Sequence, residues 1–169
     1  MSTQLKHKDH QEEINRFPFH LLIPNLSSPY NVGGLFRLAD ALGIGRLYFS
    51  GETPLPPNSK IKKTARSTEQ VVSFEQVTDP LSLLKSLKKE GYKIYCLEIC
   101  DQSVDLEVIP SLKKEKICLV LGEENKGVRQ DFLDLADTIC HIPMQGKNSS
   151  MNVVSACAIA CYALINKMK

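Results

Sequence analysis

No apolar run in this 169-residue chain approaches the roughly 20 residues needed to span a bilayer, so membrane insertion is excluded. The first residues, Met1 to Glu13, are polar and carry Lys6, His7, Lys8, Asp9 and His10. They supply neither the apolar stretch nor the cleavage site of a signal peptide, and the expected location is cytoplasmic. Internal repeats, low-complexity tracts and long linkers are missing too. Residues 1–16 therefore read as a flexible polar tail and residues 17–169 as one domain, large enough to close a core without disulfide or metal staples. No CxxC occurs among the six cysteines. Cys96, Cys100, Cys118 and Cys140 fall in or beside apolar strand-like runs, and Cys157 and Cys161 sit one helical turn apart on an apolar helix. That pattern predicts buried, reduced thiols rather than a disulfide framework or a metal site. A strong charge of one sign is also lacking, since 21 Lys and Arg against 19 Asp and Glu leave a net +2, too little to announce a nucleic-acid partner. Local clustering says more. Lys60, Lys62, Lys63 and Arg66 follow the stiff Pro54, Pro56, Pro57 stretch and form a candidate phosphate-contacting patch on a loop or short helix, with a plain solvated face as the alternative.

What is present alternates between short apolar runs and helical stretches, the signature of an α/β protein with a mostly parallel sheet flanked by helices. About six strands are predicted, at Phe19–Ile23, Arg46–Phe49, Val71–Phe74, Lys93–Glu98, Ile117–Leu121 and Thr138–Ile142. Helices are predicted at Val32–Leu42, Pro80–Glu90, Arg129–Ala136 and Asn152–Lys167, with Gly43 and Gly91 ending the first two in a left-handed conformation. The last helix is apolar almost all round and rich in Ala and Cys, so it requires cover on several sides; sheet plus a second subunit supplies it, and a homodimer is expected.

Three glycine-bearing turns carry the chemistry. In the first, Ser27 to Asp40, Asn31 can cap the helix, Gly33 and Gly34 admit a close neighbour, and Arg37 follows in the first half of the helix, near the loop. The segment lacks the GxGxxG pattern of a dinucleotide site. In the second, Leu119 to Arg129, Gly122 and Gly127 have the spacing of a P-loop. Val128 and Arg129 stand where Lys and Ser/Thr would be needed, which removes the phosphate and magnesium contacts. The adjacent carboxylates Glu123 and Glu124 suit a cation such as a sulfonium. In the third, His141 to Ser155, Pro143 and Gly146 force a bent loop, and Ser149, Ser150 and Asn152 form a polar cluster at a helix start, where Ser150 can serve as cap.

Taken in order, these segments resemble the three motifs of the SpoU (TrmH) family within the SPOUT superfamily of RNA methyltransferases. The match rests on Asn31, Gly33 and Arg37, then Gly122, Glu124 and Gly127, then Ile142, Pro143, Met144, Gly146, Ser150 and Asn152. The resemblance implies a parallel-sheet fold whose C-terminal segment forms a deep trefoil knot, and S-adenosylmethionine held there by groups around Leu97, Glu98, Gly122, Ile142, Met144, Ser150 and Met151. It further implies methyl transfer to a ribose 2′-hydroxyl by a homodimer whose active site draws on both subunits. Arg37 would stabilise charge on the attacking oxygen or help position the phosphate beside it, and Asn31, Glu124, Ser150 and Asn152 would orient it and the ribose. Two positions depart from the family pattern: Glu123 replaces the more usual Asn, and Val154 stands where Ser or Ala is common. The compact chain favours tRNA as substrate, with rRNA as the alternative. A non-catalytic RNA-binding module using the Lys60 to Arg66 patch is the rival reading.

Overall fold

A computed structural model of the chain describes residues 16–148 and 150–169. The polar tail read at residues 1–16 and Ser149 of the third motif thus lie outside the described residues, except for Arg16. Its guanidinium donates to the Ile44 carbonyl at 3.1 Å and pairs with Asp40 at 3.6 Å.

The elements run β1 (Phe17–Pro24), α1 (Pro29–Leu42), β2 (Ile44–Ser50), α2 (Ser59–Ala65), β3 (Phe74–Val77), α3 (Pro80–Lys89), β4 (Tyr92–Leu97), β5 (Val104–Asp105), β6 (Lys116–Val120), α4 (Gln130–Leu135), β7 (Thr138–His141) and α5 (Val153–Met168). The strands form one seven-stranded sheet in the order β3-β2-β1-β6-β4-β7-β5, and every pairing is parallel. The α/β expectation therefore holds with one strand more than expected. β5 is only two residues long, too short for any periodicity to reveal. β3 begins where the predicted strand ended: Thr68–Gln70 form a 3₁₀ turn, the Thr68 hydroxyl donates to the Ala65 carbonyl at 2.7 Å, and Val71 is left 64% exposed.

Helix starts also differ from expectation, for local reasons. α1 begins three residues earlier than predicted because Ser28 caps it, accepting from the Asn31 amide at 3.4 Å, and Pro29 occupies the first turn, where its missing N–H costs nothing. Asn31 is therefore inside the helix, which frees its side chain for other partners. At α5, Asn152 is the cap, accepting from the Val154 amide at 2.9 Å, and Ser150 is not. The predicted stops hold, since Gly43 and Gly91 have φ of 68° and 88°.

Alternation along the strands sends Phe19, Leu21 and Ile23 of β1 to the face covered by α1 and α5, and Leu22 to the face covered by α3 and α4. Gly33 sets how closely α2 approaches α1: a Cβ there would lie 2.0 Å from the Thr64 hydroxyl and 2.5 Å from the Ile61 carbonyl. Gly34 faces Val154 of α5 in the same way, at 3.2 Å. Both glycines thus serve helix packing. Five cysteines are buried, Cys100 is half-buried, and all six are unpaired. Burial pushes the Cys96 and Cys140 thiols up to about 12.

Candidate active site

Neighbours of β1 diverge in the sheet: β2 and β3 lie to one side, β6 and β4 to the other. In a parallel sheet such a reversal opens a crevice beyond the carboxyl ends of the strands. A cavity of about 440 Å³ lies there, walled by the turns that follow β4, β6 and β7, by Asn31 at the start of α1, and by Val153 and Ala156 at the start of α5. Its size is that of a pocket for a small ligand.

All seven residues expected around a cofactor, Leu97, Glu98, Gly122, Ile142, Met144, Ser150 and Met151, line this cavity. Asn31, Glu124 and Asn152 line it as well. Two glycines bring the turns together. Gly127 has φ of 68°, and a Cβ on it would lie 2.3 Å from the Glu98 carboxylate; a Cβ on Gly122 would lie 3.0 Å from the Gly127 backbone. The Glu98 carboxylate accepts from the amides of Ile99 at 2.9 Å and Val128 at 2.8 Å, tying the turn after β4 to the turn after β6. Glu123 and Gly127 exchange backbone hydrogen bonds of 2.9 and 3.1 Å, which close the second loop on itself.

A chain of side-chain hydrogen bonds joins the three motifs at one edge of the cavity. The Ser27 hydroxyl and the Asn31 amide, the latter at 3.2 Å, both donate to the Glu124 carboxylate. The Asn152 amide then donates to Asn31 Oδ1 at 3.2 Å, while Asn152 Oδ1 is engaged in capping α5. Each side-chain amide thus has both its oxygen and its nitrogen committed, which fixes its orientation and holds the Glu124 charge in place. The sequence reading assigned no role to Ser27. Its only signal was a hydroxyl in the turn before Asn31.

Arg37 is the one catalytic candidate that the fold does not bring to the cavity of its own chain. It stands exposed on α1, six residues past Asn31, which on an α-helix means about 9 Å along the axis and a different face. The expectation that it lies near the loop is corrected accordingly. Among the described residues no hydrogen bond or ion pair holds its guanidinium. Lys60, Lys62 and Lys63 are exposed on α2 and Arg66 ends that helix, away from the cavity lining. α2 is nonetheless fastened beside the site, since the Thr64 hydroxyl donates to the carbonyl of Tyr30 at 3.1 Å. Among the described residues no group of three or more His, Cys, Asp or Glu could hold a metal ion, and no helix is long and apolar enough to cross a membrane.

A family model described as the SpoU rRNA Methylase family matches residues 18–162. One curated relative, the 23S rRNA (guanosine-2'-O-)-methyltransferase RlmB of Shewanella oneidensis, is 26% identical over 152 residues, which is 90% of this chain and 61% of that protein. The chain spans about three fifths of the length of the curated relatives it matches. Among solved structures, the A. aeolicus TrmH/SpoU tRNA modifying enzyme superposes with a TM-score of 0.81 at 24% identity, covering 92% of this chain and 77% of that one. The AdoMet-bound rRNA methyltransferase from Sinorhizobium meliloti gives 0.82 at 20% identity, covering 89% and 57%. These structural likenesses are of fold.

Proposed function

Because the chain belongs to the SpoU rRNA methylase family, we propose that it transfers a methyl group from S-adenosylmethionine to a ribose 2′-hydroxyl of RNA. The observation that carries this reading is the hydrogen-bonded chain Ser27, Glu124, Asn31, Asn152, which gathers all three motifs at the rim of a small-ligand cavity. The cavity suits that donor: it is lined by apolar Leu97, Leu121, Ile142 and Met144, by the backbone of Gly122 and Gly127, and by the carboxylates of Glu98, Glu123 and Glu124, which favour a cationic ligand. When bound, S-adenosylmethionine supplies an electrophilic methyl carbon on a sulfonium. Leu97, Ile142, Met144 and the Gly122 turn would hold the donor with its methyl open to the ribose oxygen; the carbon–sulfur electrons would stay with sulfur and the hydroxyl proton would pass to solvent. Asn31, Glu124, Ser150 and Asn152 orient the ribose. The Arg37 guanidinium stabilises the charge that develops on oxygen.

Since Arg37 lies off the cavity of its own chain, the arrangement is completed by a second copy, whose α1 brings its arginine to this cavity. Two apolar residues of α5 support such a homodimer: Ile159 and Tyr162 are 45% and 63% exposed on the outer face of that helix. β7 lies between β4 and β5, so the chain leaving His141 passes beside the turn that joins those two strands. We read this passage as the threaded crossing of a C-terminal trefoil knot. The exposed lysines of α2 beside Tyr30 would carry the RNA backbone, and the buried unpaired thiols agree with a reducing, cytoplasmic setting.

We take tRNA as the substrate, as the A. aeolicus enzyme of like fold is a tRNA modifying enzyme; the RlmB relative favours rRNA as a second reading. Purified protein given labelled cofactor is expected to label ribose in small RNA. Labelled ribose in ribosomal RNA alone would select the second reading, and label on a base would refute both. Arg37→Ala should cut turnover by about 10²- to 10³-fold, the usual effect of removing one donor to a developing oxyanion, while calorimetry shows cofactor binding intact.

A further inference from the structure

Beyond the residues that touch the cavity, one side chain outside all three motifs binds three strand ends together. Asn25 follows the last residue of β1 and adopts a left-handed conformation, with φ of 43°. Its backbone amide donates to the Ser50 carbonyl at 3.1 Å, at the end of β2. Its side-chain oxygen accepts from the Glu52 amide at 3.3 Å, and its side-chain nitrogen donates to the Glu123 carboxylate at 2.9 Å, in the turn after β6. Gly51, with φ of 66°, is shaped around it: a Cβ there would lie 1.8 Å from the Asn25 oxygen. The residue therefore occupies a fitted seat between two turns, with both polar ends used.

The partner is informative. Glu123 directly precedes Glu124, which receives the hydrogen bonds of Ser27 and Asn31. A carboxylate at 123 needs a donor to stay fixed beside a second carboxylate, and Asn25 provides it. Asn25, Ser27 and Asn31 thus hold Glu123 and Glu124 from one seven-residue span. We propose that Asn25 is a positioning residue for methyl transfer, which fixes the Glu123–Glu124 turn so that Glu124 meets Asn31 at the cavity rim. This inference rests on the methyltransferase reading above.

Asn25→Asp tests it. The variant keeps the shape, the tolerance for a left-handed backbone and the acceptor for the Glu52 amide, and replaces only the donor that faces Glu123. The turnover number at alkaline pH should fall about tenfold, the kinetic equivalent of one hydrogen bond, with the melting temperature and the KM for RNA little changed. As pH falls, the two facing carboxylates can share a proton and the loss should shrink, a trend absent from the unaltered protein. Asn25→Gly, which accepts the backbone conformation freely, should show the same loss without that pH trend. Combining Asn25→Asp with Glu123→Gln moves the donor to the other side of the pair and, at saturating cofactor, should raise turnover clearly above that of Asn25→Asp. Amide hydrogen exchange gives a readout independent of activity: Glu123 should lose protection in both single variants and regain it in the double variant, and Glu52 should lose it in Asn25→Gly alone. Single variants as active and as protected as the unaltered protein would overturn the proposal, as would a double variant no better than Asn25→Asp. Unaltered protein that shows the protection changes between variants but methylates no RNA would overturn the methyltransferase reading instead.

Discussion

His20 shows how much one side chain in the sheet can report. It lies half-buried on β1, stacked on Tyr92 with ring centroids 4.6 Å apart and edge-on to Tyr48 at 5.6 Å. Burial holds its pKa below the usual 6.5, and the positive charge of Arg46 adds to the effect. In the folded protein the ring thus resists a proton that the unfolded chain accepts. Stability is full above pH 6.5, where the ring is neutral in both states, and declines as pH falls from there toward the lowered folded value. Melting curves should show this decline above the range in which carboxylates titrate, and His20→Phe, which keeps the stacking, should flatten it. Other single residues were legible from sequence to very different degrees. Gly43 and Gly91 could be read as helix stops because their conformational need is local. Asn25 could not, because its role depends on Glu52 and Glu123, which only the folded chain brings beside it. Asn31 was recognised as important, but its work is not the capping expected of it. Ser28 caps the helix, and Asn31 instead links Glu124 to Asn152.

At the scale of elements, the contact between α1 and α2 governs whether the basic helix stays beside the site. Gly33 permits that contact, because backbone atoms of α2 pass where any larger side chain would stand. Gly33→Val should therefore force α2 outward and cost roughly 1 to 3 kcal/mol, the usual range for overpacking. Thermal unfolding would measure the loss. RNA affinity should drop with it, and cofactor affinity should not, as Gly33 is absent from the cavity lining. The strands whose residues alternate or form solid apolar runs, such as β1, β4 and β6, were visible in the sequence. β5 was not, since two residues have no period, and β3 was displaced because the 3₁₀ turn at Thr68–Gln70 takes up the residues before it. Short elements of this kind are fixed by their neighbours in the sheet rather than by their own pattern.

For the whole molecule, the position of Arg37, the proposed catalytic arginine, off its own cavity and the exposed apolar residues on the outer face of α5 have one joint explanation in the proposed dimer. Replacing both Ile159 and Tyr162 by Glu should leave a folded monomer, seen by light scattering and circular dichroism. That monomer should bind cofactor and transfer no methyl groups. If the double variant remained dimeric and active, the shared-site arrangement would be wrong. The location of Arg37 also marks the limit of spacing arguments. Six residues along a helix fix distance and face, but which surface that face meets depends on packing that no motif encodes.

The cavity draws its walls from Asn31 near one end of the described chain and from Ala156 near the other. A molecule lodged there stitches early and late parts of the polypeptide into one unit. Occupancy and folding are therefore thermodynamically linked: at a hundred times its dissociation constant, such a molecule adds about 2.7 kcal/mol of resistance to unfolding. The methyl donor would then act as a clasp on the architecture as well as a reagent.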